Sequence, residues 1–90
     1  MRKITTVITQ ILDVLPVIPD SVIADQMTTL KAELRLQLRQ GMYLAPEGES
    51  DAWERLSITL YRYMPQPGSY PFVQQVSDIV TDPSSGAPHA

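Results

Sequence analysis

Ninety residues, with seven lysines and arginines, ten acidic residues and a net charge of −3, make a chain long enough for one small domain. A hydrophobic fraction of 43% beside only 19% charged residues excludes wholesale disorder, and the acidic balance weighs against sequence-independent binding of nucleic acid. With no cysteine, disulfides, thiol catalysis and cysteine metal sites are excluded.

Met1, Arg2 and Lys3 precede an apolar run in the manner of an export signal. Gln10 and Asp13 interrupt that run, and Pro16 and Pro19 follow it without a small-residue cleavage site, so a cytoplasmic chain is expected. No apolar stretch approaches the roughly 20 residues that span a bilayer, and no membrane partner is expected. Ile4, Val7, Ile8, Ile11, Leu12 and Leu15 recur at three- and four-residue steps and predict a first helix with one core-facing stripe. Several of these are β-branched, so the helix must draw its stability from packing, and Pro16 should end it.

A tight connection over 16–19 should return the chain into a second helix, with Asp20 or Ser21 accepting hydrogen bonds from its first amides. Asp20-Ser21-Val22 resembles the Asp-Ser-Leu attachment site of acyl carrier proteins, whose serine bears a phosphopantetheine arm. The resemblance covers three positions. Those carriers set a long loop between first helix and serine, where only Pro16 to Asp20 intervenes here, so Ser21 is read as a helix cap and no cofactor is expected.

Ile23, Met27, Leu30, Leu34 and Leu38 form a helical stripe, and Gly41 stands where a left-handed cap would close the helix. Leu30, Ala32, Leu34, Leu36 and Leu38 also alternate with Lys31, Glu33, Arg35, Gln37 and Arg39, the period of a half-buried strand. Composition favours the helix, because Leu, Lys, Ala, Glu, Arg and Gln are strong helix formers and no β-branched residue follows Thr29 in the segment.

Residues 42–50 read as a loop, after which Asp51 with Glu54, or alternatively Ser50, should cap a third helix. Trp53, Leu56, Leu60, Tyr63 and Met64 share one face of it. Pro65 to Ser69 breaks the chain again, and Pro71 suits the first turn of a fourth helix carrying Phe72, Val73, Val76, Ile79 and Val80. The expected fold is all-α, a small bundle of three to four helices in one domain over 1–80, with a flexible tail over 81–90. The structural alternative is an α+β fold with a hairpin of about 30–39 and 55–63.

No catalytic constellation emerges. His89, the single histidine, lies in the tail; without cysteine no histidine and cysteine metal set exists, and Glu47, Glu49, Asp51 and Glu54 lack the alternating pattern of a calcium loop. Those four carboxylates read as solvated charge near a helix start. Catalysis, a metal and a cofactor are accordingly not expected.

The expected partner is another protein, and the surface for it is the second helix. Lys31, Arg35 and Arg39 stand one turn apart, Leu36 lies beside them off the apolar stripe, and Tyr43 extends the patch, as Trp53, Tyr61 and Tyr63 could. The expected function is a non-catalytic regulator, inhibitor or assembly subunit, itself expected to be a homo-oligomer because so short a chain buries a limited core. The alternative is a nucleic-acid-binding regulator using Lys31, Arg35, Arg39, Arg55 and Arg62.

Overall fold

A computed structural model describes residues 3–17 and 22–81. They form four α-helices, α1 (Ile4–Val14), α2 (Ala24–Gly41), α3 (Glu49–Tyr63) and α4 (Pro71–Thr81), with one 3-10 turn at Pro46–Gly48 and no strand among the described residues. The protein is an all-α bundle, and the hairpin alternative falls, since 30–39 lies wholly inside α2 and 55–63 inside α3.

The choice of helix over strand is visible in the side chains. A strand would place Leu30, Ala32, Leu34, Leu36 and Leu38 on one face. In the structure Leu30 and Leu34 are fully buried, while Ala32 is exposed and Leu36 is 44% exposed, the separation that a 3.6-residue repeat produces. Met27 joins the buried stripe, and Ile23 and Leu38 pack against it partly covered.

α1 buries Ile4, Val7, Ile8 and Ile11, with Leu15 just beyond its end, and exposes Thr6 and Thr9 while Thr5 is half-buried beside α2. It is packed between α2 on one side and α4 on the other, while α3 lies chiefly on α2. The pairs Gln26 to the Tyr63 carbonyl, Gln37 to Thr59 and Arg55 to Gln40 run in opposite chain directions, so α2 and α3 are antiparallel. α4 contributes Phe72, Val73 and Val76 to the core. The molecule is flattened, 40 × 32 × 18 Å with a radius of gyration of 13.4 Å; a compact chain of this length would have about 12 Å.

The helix ends depart from the sequence expectation in three places. Gly41 adopts no left-handed cap: it is the last residue of α2, and the chain carries on in turns, with the amides of Met42, Tyr43 and Leu44 reaching the carbonyls of Leu38, Gln40 and Gly41. Those turns satisfy terminal carbonyls without a reversal of φ. The glycine serves instead as a contact point, since a Cβ there would lie 3.0 Å from Thr5 Cγ2. Among the described residues Gly68, at φ 87°, is the glycine that uses its conformational freedom, closing a turn after Pro67 in which the Ser69 amide reaches the Gln66 carbonyl.

α3 is capped by neither Asp51 nor Ser50. The 3-10 turn from Pro46 runs straight into it, so it starts at Glu49 behind Gly48, with no side-chain cap, and both residues fall in its first turn. α2 begins at Ala24 with Ile23 at its cap position; Asp20 and Ser21 lie outside the described residues, as do 82–90 with His89, while Thr81 ends α4.

Gln37 is the polar exception in the core. It is 7% exposed, its Nε2 donates to Thr59 Oγ1 at 2.7 Å, and its Oε1 has no partner. Turning the amide over would only exchange which end is unpaired, because a hydroxyl can donate or accept.

Three outcomes follow for urea unfolding. Leu34→Ala should lose about 2–5 kcal/mol, the cost of a fully buried leucine that leaves a cavity. Thr59→Val should cost about 1–3 kcal/mol by leaving Gln37 unpaired at both ends, and Gln37→Leu combined with Thr59→Val should restore most of that loss.

Candidate functional site

The outer face of α2 and the turn that follows it form the candidate site. The inner face is used up by Met27, Leu30, Leu34 and Gln37, so on an 18-residue helix the residues between them must point outward. Arg35, Leu36 and Arg39 do so. Because the turn after Gly41 keeps a helical course, Met42 and Tyr43 continue the same face, Met42 at 64% exposure and Tyr43 at 87%.

Arg35, Leu36, Arg39 and Tyr43 are thus brought together by the helix on one solvent-facing surface. Among the described residues neither guanidinium has an ion-pair or hydrogen-bond partner, so both are available to a ligand. Lys31 stands apart from them. It is half-buried, and its ammonium donates to the Pro16 carbonyl at 2.8 Å, where a cation also meets the negative end of α1. Its role is to hold the connection between the first two helices.

Of the other aromatics, Tyr61 is 93% exposed, whereas Trp53 and Tyr63 pack partly covered on the core and do not extend the α2 face. Arg55 is tied to Gln40 at 3.2 Å, and Arg62 stands exposed at the end of α3. Four acids, Glu47, Glu49, Asp51 and Glu54, gather at the opposite end of α3, beside the amide-rich helix start that favours negative charge.

Two residues escape a reading of sequence alone, Met42 on this face and Gln37 in the interior behind it. Met42 was hidden by treating Gly41 as a stop, though it lies three residues beyond Arg39 and six beyond Leu36. Gln37 was hidden by its polarity, although its spacing from Leu30 and Leu34 puts it on the buried stripe.

Chemically, the face offers two cationic forks, an aliphatic side chain, a thioether and a phenol, a set suited to binding. No group of three or more carboxylate or histidine side chains able to hold a metal ion occurs among the described residues, and no helix there is long and apolar enough to cross a membrane. No protein-family model matches this chain, and no curated protein or solved structure matches it significantly.

Proposed function

We propose that the protein is a non-catalytic interaction module of the cytoplasm that acts as a regulator, inhibitor or assembly subunit by binding another protein through the outer face of α2, and that it also self-associates. One observation carries this reading: Leu36, Met42 and Tyr43 stand in solvent beside Arg35 and Arg39, with no acidic residue among the five. Arginine, methionine and aromatic side chains are the types enriched where proteins bind one another, and truncation of such anchors carries the largest losses of affinity.

The chemistry of the face specifies its counterpart. An apolar pocket receives Leu36 and Tyr43, and carboxylates around it meet Arg35 and Arg39 in charge-assisted, two-pronged hydrogen bonds. The remainder of the molecule is acidic, so its own net charge of −3 repels wrong orientations of an acidic partner and favours approach by this face.

The test uses affinity purification with wild type and Leu36→Glu, followed by calorimetry with the purified partner. Leu36→Glu should leave the circular dichroism unchanged, alter stability by less than about 1 kcal/mol, and weaken binding at least ~tenfold. Unfolding of the variant, or unaltered binding, removes the reading. A parallel titration with duplex and single-stranded oligonucleotides should show no steeply salt-dependent affinity; such an affinity would instead favour a nucleic-acid regulator acting through Arg35, Arg39, Arg55 and Arg62.

A further inference from the structure

A cleft of about 600 Å³ opens between the end of α3 and the length of α4, where no Cα atoms of the two helices approach within 8 Å. Leu60, Tyr61, Met64, Val73, Val76 and Val80 line it, and none of its lining residues carries a formal charge at neutral pH. Val73 and Val76 are core residues, so the cleft reaches down to the hydrophobic interior. Tyr61 projects from its edge almost wholly into solvent.

We propose that this face binds the same face of a second copy about a two-fold axis, each Tyr61 ring entering the cleft of the other molecule. The proposal rests on the self-association included in the reading above and gives it a surface distinct from α2. Two features of the cleft select this occupant. A two-fold interface must be self-complementary, and here a projecting aromatic and a recess able to take it lie on one face.

The second feature is charge. Near a two-fold axis each residue meets its own copy, so a charged side chain repels itself, whereas an uncharged face suffers no such cost. Among the described residues six are basic and eight acidic, yet none of these fourteen lines the cleft. The α2 face is the opposite case, because Arg35 and Arg39 would oppose their own images. A buried tyrosine supplies about 150–250 Å² of contact.

Sedimentation velocity of the full chain from about 1 to 100 μM tests the proposal, with Tyr61→Glu and Ser77→Glu on the two walls of the cleft and Tyr43→Glu as a control on α2. All three positions are exposed, and circular dichroism verifies that each variant keeps its helices. The wild type should dimerise with concentration, each cleft variant should raise the dimer dissociation constant at least ~tenfold, and Tyr43→Glu should leave it within about twofold. A wild type that stays monomeric overturns the proposal, as does a dimer that neither cleft variant weakens or one that Tyr43→Glu weakens instead. A native mass spectrum showing a monomer with an apolar small molecule bound also overturns it. Binding of another protein depends on Leu36 and is measured separately, so either reading can fail while the other stands.

Discussion

The buried stripe of α1 sets the terms for the whole fold. Val7, Ile8 and Ile11 are completely removed from solvent and Ile4 nearly so, on a helix of only eleven residues. β-branched side chains give α1 a modest helical tendency, and so short a helix would not persist alone in water. It forms because α2 and α4 cover it from two sides. Fully burying one such side chain contributes about 1.5–3 kcal/mol, so α1, weak in isolation, contributes substantially to stability once packed. The close approach at Gly41 and Thr5 and the Lys31 bond to the Pro16 carbonyl fix the two ends of the α1 and α2 pairing.

That arrangement explains the flattened shape. With α1 covered chiefly by α2 and α4, α3 packs mainly on α2 and touches α1 only lightly, and the chain from Met64 to Tyr70 must then cross back to start α4 against α1. α3 and α4 do not approach each other, which leaves a cleft where a closed bundle would have a further helix contact. The partly covered Leu60, Met64, Ile79 and Val80 belong to these two helices, so the core thins where α3 and α4 would otherwise meet.

The stripes were legible in the sequence because period and burial are the same fact seen twice: every apolar position assigned to the inner faces of α1 and α2 is buried or packed against the core. The break at Pro65 to Ser69 was equally legible, since proline and glycine act through their own backbones. Helix ends were less so. Gly41 and Asp51 each have the residue type of a cap, but whether a cap is needed depends on what the chain does next, and here continuing turns and a preceding 3-10 turn supply the backbone partners. The site was half legible: helical spacing placed Arg35, Leu36 and Arg39 outward, but the tie between Lys31 and Pro16 joins groups fifteen residues apart and leaves no mark on local periodicity.

Gln37 and Thr59 bear on a different question, how α2 and α3 settle on one alignment. Leu30, Leu34 and Leu38 repeat every four residues, as do Leu56 and Leu60, so sliding one helix past the other by a turn would still bring leucine against leucine at small cost. The hydrogen bond between Gln37 and Thr59 has no such periodic equivalent. Sliding by a turn would strand both groups in an apolar interface, at about 1–3 kcal/mol for each unpaired group, which is comparable with the burial of a large side chain. A polar pair that adds little net stability thereby discriminates strongly between registers, as single buried polar residues do in coiled coils. The register it selects also sets Arg55 beside Gln40 and the Tyr63 carbonyl beside Gln26. It thereby fixes where α3 ends, and with it the position of Tyr61 at the edge of the cleft.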